Sequence, residues 1–166
     1  MPLRAAVFDF DGVIVDSEPL HYRALRDALL PEGVEITEQE YVRTYLAYDD
    51  RRSIRKALEL HGLPVEPERM ERIEARKVRV FADSLHEIPV FEGARELVLG
   101  LAAEMPVAIA SGARRDEIEG ILACLGLHDA FHAVVGAEDA ERTKPDPAPY
   151  LEAARRLAAH SPGLAP

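Results

Sequence analysis

The sequence predicts an α/β protein in which a helical segment is inserted into a core built around a parallel sheet. Short apolar runs, which are typical of buried strands, alternate with helical patterns toward both ends of the chain. The middle of the chain, residues 17–89, contains several helix signals and no convincing strand pattern. Of the 166 residues, 48% are hydrophobic and 30% are charged, which is the composition of a globular protein with one substantial core.

Three apolar runs are predicted to be strands of one sheet. They comprise residues 3–8, 107–110 and 133–135, and each is followed by polar or glycine-containing sequence. Because helical patterns lie between and after the runs, we expect helical crossovers that connect parallel strands.

Helical periodicity predicts two helices of the core. In each, apolar residues recur at positions i, i+3, i+4 and i+7, which lie on one face of a helix. The two sets are Ala94, Leu97, Val98 and Leu101, and Ile118, Ile121, Leu122 and Leu125. Gly126 is expected to end the second helix, since glycine readily adopts the left-handed conformation of helix C-termini.

The inserted segment contains start and stop signals of several helices. Thr37 and Glu40 have the spacing of a capping box, and Asp50 is expected to cap a helix that ends near His61. A later helix carries a loose apolar stripe that consists of Met70, Ile73, Val78, Phe81 and Leu85. These signals predict a helical domain at residues 17–89, which leaves a discontinuous α/β core of residues 1–16 and 90–166.

Charge and cysteine content argue against several classes of function. The 20 basic and 30 acidic residues give a net charge of −10, which repels nucleic acid and anionic membrane surfaces. No apolar run approaches the roughly 20 residues that span a bilayer, and no signal-peptide pattern precedes the first strand. The single cysteine, Cys124, cannot form an internal disulfide. We therefore expect a cytoplasmic protein that binds neither nucleic acid nor membrane.

An acid pair, Asp9 and Asp11, follows the first predicted strand, and Gly12 comes next. Ligands of parallel sheets bind beyond the carboxyl ends of the strands, and alternation places the two carboxylates on one side of an extended chain. Such a pair can divide the work between a nucleophile or metal ligand and a general acid–base. Gly12 would let backbone amides approach a bound anion. By itself, the motif is more often a turn of solvated acids.

A hydroxyl group and an ammonium group follow the other two strands. Ser111, with Gly112 after it, could donate to a phosphate oxygen or could cap the next helix. Lys144 precedes Pro145 and is the only lysine outside residues 17–89. Its charge suits a transferring phosphoryl group, although a surface lysine in a turn is the ordinary alternative. Since each group follows a different parallel strand, we expect all of them at one edge of the sheet.

With these residues in this order, the sequence resembles the haloacid dehalogenase-like (HAD) superfamily. Its first three motifs are matched by the D-x-D-G run from Asp9, by Ser111 and by the K-P-x-P loop at Lys144. Residues 15–19 and the insert are similar to the subfamily with an α-helical cap, which includes β-phosphoglucomutase and phosphoglycolate-phosphatase-like enzymes. The resemblance implies a Rossmann-like core and a magnesium-dependent phosphomonoester hydrolase that acts on a small phosphorylated metabolite.

The resemblance also implies a role for each motif residue. Asp9 would attack phosphorus and form an aspartyl-phosphate, while Asp11 would act as the general acid and then as the general base. Ser111 and Lys144 would hold the phosphoryl oxygens. Mg²⁺ would bind at Asp9 and Asp11, through the carboxylate of the first and the backbone carbonyl of the second.

Residues of the cap can reach the substrate in such enzymes, which adds candidates from the insert. His21 lies early in the first helix of the insert, although a histidine on a helix surface is more often structural. Arg51 and Arg52 could bind a second anionic group, although a solvated helix start is an equal alternative. The substrate-binding candidates are Gly12, His21, Arg51, Arg52 and Gly112.

One motif of the superfamily, an acidic pair after a fourth strand that supplies magnesium ligands, has no match. Residues 161–166 resemble the loop that would lead into that strand, so we expect a core truncated at this end. If that expectation is wrong, Glu138 or Asp139 is the alternative metal ligand. Two further functions stay open: a sugar phosphomutase of the β-phosphoglucomutase type, and a truncated chain that acts as a binding module. The substrate and the oligomeric state do not follow from the sequence.

Overall fold

The structure is a computed structural model, and it describes residues 3–160. The described chain forms two units, one of which is the helical segment Glu18–Leu85. The other unit contains the residues on either side of that segment and a sheet of three parallel strands. The predicted α/β class with a parallel sheet is confirmed.

One strand precedes the helical segment, and helices and strands alternate after it. The strands are β1 (Ala6–Phe8), β2 (Val107–Ala110) and β3 (Ala133–Val135). The helices of the described residues are α1 (Glu18–Leu29), α2 (Glu38–Thr44), α3 (Asp50–Leu60), α4 (Pro67–Ser84), α5 (Ala94–Glu104), α6 (Arg115–Leu125) and α7 (Ala148–His160).

The central strand of the sheet is β2, with β1 on one side and β3 on the other. The first strand is shorter than the predicted residues 3–8, because β2 begins at Val107 and pairing therefore starts at Ala6. Leu3 precedes this pairing and is 75% exposed. All four residues of β2 are buried, as expected for an apolar run without polar alternation in the middle of a parallel sheet.

Helices α6 and α7 pack as their apolar residues predict. The fully buried residues of α6 are Ile118, Ile121 and Leu122. Gly126 ends this helix in the left-handed conformation, with φ of 61°. Ala153 and Leu157 of α7 join a cluster with the small residues Ala108 and Ala110 of β2, so the sheet and the helix approach each other closely.

The stripe predicted for α5 is wrong in part. Val98 is the one fully buried residue of this helix, whereas Leu97 is more than half exposed. Helix α5 contacts β2 and the short turn His128–Ala130. These contacts cover only part of the apolar face that the sequence predicts for this helix. Cys124 in α6 is also exposed, although its neighbours in sequence are apolar.

The helical unit has its own core, and the caps of its helices follow side-chain chemistry. Half of the predicted capping box forms: the Thr37 hydroxyl accepts a hydrogen bond of 3.2 Å from the Glu40 amide, whereas the Glu40 carboxylate accepts from the Tyr45 hydroxyl, also at 3.2 Å. The cap predicted for α3 is wrong by one residue: Asp49 accepts the bond from the Arg52 amide, at 2.8 Å. Asp50 already lies within the helix. The core residues come from all four helices and their connections: Leu25, Ala28, Leu29, Val34, Ile36, Tyr41, Tyr45, Ile54, Ala57, Leu58, Met70 and Ile73.

Helix α4 differs from its predicted stripe at one position. Met70, Ile73 and Phe81 are buried as expected, but Val78 is exposed and the adjacent Lys77 is buried instead. His21 on α1 and Asp50 on α3 bind the Lys77 ammonium group. The buried face of α4 therefore includes Lys77 in place of Val78.

Two expectations concern the ends of the chain and its relation to membranes. Residues 161–166, predicted to form a loop toward a further strand, lie outside the described residues. Among residues 3–160, no helix is both long and apolar enough to cross a bilayer.

Candidate active site

Polar side chains follow the carboxyl ends of the three parallel strands. Asp9 comes directly after β1, and Ser111 comes directly after β2. Lys144 lies in the loop between β3 and α7. Because the strands are parallel, these ends lie at one edge of the sheet, where ligands of such sheets bind.

The structure brings Asp9 and Lys144 into direct contact. The Lys144 ammonium nitrogen lies 2.6 Å from Oδ1 of Asp9, and about a third of each side chain is exposed. The amide of Phe10 also donates to Oδ1, at 2.7 Å. Oδ2 of Asp9 accepts no hydrogen bond from the described residues, so one carboxylate oxygen is oriented by two donors and the other is available to a ligand.

Asp11 accepts hydrogen bonds from two serine hydroxyl groups. Ser17 donates to Oδ1 at 2.5 Å, and Ser111 donates to Oδ2 at 3.4 Å. Both serines are almost completely buried. The long bond from Ser111 is weak, so that hydroxyl can turn toward another acceptor with little loss. Asp11 is therefore held mainly by Ser17, next to a hydroxyl that a ligand can engage.

The turn after Asp11 depends on Gly12. Gly12 has φ of 75°, a conformation that costs other residues roughly 1–2 kcal/mol. Its amide donates to the Val15 carbonyl at 2.8 Å, and the Phe10 carbonyl accepts from Ile14 at 2.8 Å. The amide of Gly12 itself is used within the turn, and the approach of backbone amides to a bound anion at this position stays a prediction.

The loops that carry Ser111 and Lys144 are fixed by short-range contacts. The Ser111 hydroxyl accepts a hydrogen bond of 3.0 Å from the Ala113 amide, and Gly112 between them is exposed. Asp146 accepts a bond of 2.9 Å from the amide of Ala148, which is the first residue of α7.

Tyr150 contributes a further contact to this loop. The Lys144 ammonium nitrogen lies 5.2 Å from the centre of the Tyr150 ring, which is cation–π geometry. Lys144 is thus held between a carboxylate and an aromatic face.

The profile of one protein family matches residues 6–162, and its description is haloacid dehalogenase-like hydrolase. The chain belongs to this family.

Two curated phosphatases of Escherichia coli K12 are similar to this hydrolase over most of its length. The fructose-1-phosphate phosphatase YqaB is 30% identical over 152 residues, which cover 91% of this chain and 78% of that protein. Hexitol phosphatase B is 32% identical over 157 residues, which cover 92% of this chain and 69% of that protein.

The crystal structure of β-phosphoglucomutase from Clostridium difficile has the same fold. It aligns with a TM-score of 0.71 over 94% of this chain and 71% of that chain, at 23% identity. An identity this low shows the likeness of fold alone.

The second acid pair of the hydrolase, Glu138 and Asp139, is committed to structural contacts. Arg115 and Arg156 both bind the Asp139 carboxylate, and the Gly136 amide donates to it at 2.9 Å. Although burial by itself raises the pKa of Asp139, the two guanidinium groups hold that pKa well below its usual range. The carboxylate of Glu138 accepts from the Arg115 amide at 3.2 Å. The alternative that this pair binds the metal therefore does not agree with the structure.

Asp9 and Asp11 offer oxygen ligands of the kind that bind a magnesium ion. Within residues 3–160 there is no group of three or more histidine, cysteine, aspartate or glutamate side chains placed to bind a metal. Mg²⁺ is commonly bound through one or two carboxylates while it keeps several waters. The Asp9 carboxylate, two residues before the backbone carbonyl of Asp11, is compatible with this kind of site.

The substrate-binding candidates of the helical insert, His21, Arg51 and Arg52, lie in the helical unit. Arg51 lies 3.7 Å from Glu74, and Arg52 lies 3.4 Å from Asp49. Both arginine side chains are largely exposed, so these ion pairs are weak and either guanidinium group can exchange its partner. His21 contacts the buried Lys77 at 3.0 Å.

Sequence reasoning missed two residues of the site. Ser17 lies within the residues 15–19 that carry part of the family resemblance, but nothing in the sequence shows that its hydroxyl meets Asp11. Tyr150 follows Lys144 by six residues, and only the fold of the loop places its ring beside the ammonium group. Hydrophobic periodicity and motif spacing do not predict contacts that depend on loop conformation.

Proposed function

We propose that this hydrolase is a phosphatase of phosphorylated carbohydrates and that it acts through an aspartyl-phosphate at Asp9. The observation that carries the proposal is the contact between Asp9 and Lys144 beside the Asp11–Ser111 pair, at the carboxyl edge of the sheet. The substrate class is supported by the two relatives named as sugar and sugar-alcohol phosphatases.

Substrate binding in this proposal uses the two groups that follow β2 and β3. The Lys144 ammonium group turns from Asp9 toward the phosphoryl oxygens, where it offsets the repulsion between a dianionic phosphate and the Asp9 carboxylate. The Ser111 hydroxyl exchanges its weak bond to Asp11 for a phosphoryl oxygen. The Tyr150 ring limits how far the ammonium group can move.

Asp9 and Asp11 have different roles in the chemical step. Oδ2 of Asp9, which no described residue engages, attacks phosphorus and forms the acyl-phosphate bond while the bond from phosphorus to the sugar oxygen breaks. The protonated Asp11 gives its proton to that oxygen, so the alcohol leaves neutral. A water then attacks the phosphorus, Asp11 takes the proton from the water, and Asp9 is released with inorganic phosphate. Ser17 keeps Asp11 oriented through both steps.

A magnesium ion fits the same proposal. The Asp9 carboxylate and the backbone carbonyl of Asp11 would hold it, and when bound it supplies positive charge that neutralises the phosphoryl oxygens.

The other candidate residues have proposed roles in substrate recognition. Arg51 and Arg52 would exchange their exposed ion pairs for an anionic group, and His21 would offer a ring nitrogen. Gly112 supplies exposed backbone beside Ser111, whereas Gly12 acts through the shape of its turn. We propose a small phosphorylated metabolite as the substrate and the cytoplasm as the compartment.

The test is release of inorganic phosphate from a panel of sugar and sugar-alcohol phosphates, with Mg²⁺ added. We expect turnover by the parent chain and none by Asp9→Asn, whereas Asp129→Asn, which changes an exposed carboxylate away from the site, keeps the parent rate. Turnover that persists in a folded Asp9→Asn variant overturns the mechanism. Isomerised sugar phosphate without phosphate release would identify a mutase, and a folded parent without turnover or phosphoenzyme would identify a binding module.

A further inference from the structure

The loops that follow β2 and β3 carry Ser111 and Lys144, and their backbones bind each other. The Ser111 amide donates to the Val135 carbonyl at 2.9 Å, and the Ala137 amide donates to the Ala113 carbonyl at 2.8 Å. The first bond continues the pairing of β2 with β3, and the second joins the two loops beyond the sheet. The two groups that bind the phosphoryl oxygens in the proposed mechanism therefore lie on loops that are fixed to each other.

The two loops approach most closely at Gly136. A Cβ atom at Gly136 would lie 2.6 Å from the backbone nitrogen of Arg115 and 3.0 Å from its Cα atom, and both distances are shorter than ordinary van der Waals contact. The backbone of Gly136 is extended, with φ of −97°, which any residue can adopt. Glycine is therefore needed here for the close approach of the neighbouring loop and not for a turn.

Asp139 binds both of the helices that follow these loops. Arg115, in the first turn of α6, and Arg156, in α7, both donate to its carboxylate, and the Gly136 amide donates to it at 2.9 Å. Arg156 also donates to the Val134 carbonyl of β3, at 2.8 Å. Only 11% of the Asp139 side chain is exposed, so water competes little with these bonds. This carboxylate thus connects α6, α7 and the start of the loop after β3.

The segment that carries Lys144 is short and is held at both ends. It begins five residues earlier at Asp139 and ends two residues later at Asp146. The Asp146 carboxylate accepts a bond from Arg142 at 3.3 Å, and the Asp146 amide donates to the Thr143 carbonyl at 3.1 Å. Because the far end is fixed, a shift at Asp139 is passed to Lys144.

Two donors can bind one phosphoryl group only when their separation matches the spacing of its oxygens. A hydrogen bond acts over about 3 Å, and a misplacement of about 1 Å can lower a catalytic rate about a hundredfold. Neither Gly136 nor Asp139 has a part in the proposed chemistry, but both hold the loops that carry Ser111 and Lys144.

We infer that Gly136 and Asp139 are positioning residues that set the separation of the two phosphoryl-binding groups. Gly136 lets the loops approach each other, and the guanidinium groups on Asp139 hold them there. The inference rests on the proposed phosphatase function, because Ser111 and Lys144 bind the phosphoryl group only in that proposal.

The contact at Gly136 is tested with Gly136→Ala, whose methyl group forces the loops apart. We expect kcat/KM for a hexitol phosphate, with Mg²⁺ added, to fall about tenfold, since the displacement is less than 1 Å. Gly100→Ala, in α5, is the matched control, because a Cβ atom there meets no neighbour within 4 Å. A folded Gly136→Ala variant with the parent kcat/KM overturns the inference while phosphatase activity stands. A parent without turnover overturns the proposed function, and the inference with it.

A double-mutant cycle with Lys144→Met separates positioning from a general weakening of the fold. If Gly136 acts through the position of Lys144, Gly136→Ala should lower kcat/KM by at most about twofold once the lysine is absent. An equal loss with and without the lysine overturns the inference.

Asp139→Glu gives a second cycle, which decides the question if Gly136→Ala does not fold. This variant keeps the charge but lengthens the side chain between the two guanidinium groups. We again expect a loss of kcat/KM that nearly disappears in Lys144→Met. Asp129→Glu, on an exposed turn, is its control. Additive losses, or no loss in Asp139→Glu, overturn the role of Asp139.

Discussion

The Ser17 hydroxyl donates a hydrogen bond of 2.5 Å to Oδ1 of Asp11, across a turn of six residues. Ser17 is almost completely buried, so water does not readily replace it. The bond joins the end of the turn after β1 to the carboxyl group that we propose as general acid–base. The orientation of Asp11 therefore depends on a residue outside the motif that identifies it.

Removal of this bond should slow catalysis without unfolding the protein. In Ser17→Ala we expect kcat to fall about fivefold, since one lost hydrogen bond is worth about 1 kcal/mol and Asp11 is then less well oriented. Steady-state kinetics with a hexitol phosphate measures the effect. Ser84→Ala, which removes a helix-surface hydroxyl in α4, is the matched control. An unchanged kcat in Ser17→Ala would show that Asp11 needs no support from Ser17.

The two carboxyl groups should fail in different ways when they are replaced. Asp9→Asn should form no phosphoenzyme, because the nucleophilic oxygen is lost. Asp11→Asn should form it slowly and should release it more slowly still, since proton transfer limits both steps. Rapid-quench measurements of acid-stable phosphoenzyme separate the two variants. Equal phosphoenzyme formation by both would contradict the assigned roles.

Replacing Tyr150 should reduce kcat/KM less than replacing Lys144, because the Tyr150 ring only supports the lysine through a cation–π contact. Lys144→Met should reduce kcat/KM at least a hundredfold, because the phosphoryl charge loses its nearest cation. Tyr150→Leu should reduce it a few fold, since the contact is worth about 1 kcal/mol, while Tyr150→Phe keeps the aromatic face and most of the activity. Lys56→Met, on α3, controls for the loss of a lysine elsewhere. If Tyr150→Leu and Tyr150→Phe behave alike, the ring face does not support Lys144.

Asp139 should stabilise the fold in a manner that depends on pH. Its pKa is well below the ordinary value of 3.8, so its stabilising effect is present above that value and is lost as the pH falls toward the folded-state pKa. At pH 7, Asp139→Asn should lower the free energy of unfolding by about 3 kcal/mol, because two guanidinium groups lose their shared partner.

Urea denaturation at pH 7 and at pH 3 measures this effect. The difference between the parent and Asp139→Asn should be smaller at pH 3, where the parent begins to lose the same interaction. Glu141→Gln, an exposed change two residues away, should have little effect at either pH. A difference that does not change with pH would mean that Asp139 stabilises the fold through packing and not through charge.

The conformation of Gly12 predicts a difference between two glycines of the site. Gly12→Ala should lower the free energy of unfolding by about 1 kcal/mol, because φ of 75° strains any residue with a Cβ atom. Gly112→Ala should have little effect on stability, since its φ is not positive and a Cβ atom there meets no neighbour within 4 Å. Thermal unfolding of the two variants makes the comparison. A Gly12→Ala variant as stable as the parent would mean that the turn relaxes.

The sequence by itself determined the fold class and the edge of the sheet where the site lies. The apolar runs at Val107–Ala110 and Ala133–Val135 could be read because buried parallel strands lack polar alternation. Asp9, Ser111 and Lys144 could be assigned to one edge because parallel strands end together. The identity of the strands follows from the local hydrophobic pattern, and the shared edge follows from the parallel direction of the strands. The sequence contains the information for both.

Only the tertiary structure decided which polar groups meet. Lys77 is buried in place of Val78 because acceptors from α1 and α3 converge on its ammonium group, and those acceptors lie 56 and 27 residues away in the chain. Asp139 is occupied by Arg115 and Arg156, 24 and 17 residues distant, so its chemistry could not be judged from its neighbours in sequence. Hydrogen bonds and ion pairs act over about 3 Å, and the distance between two side chains in space is set by the packing of whole elements.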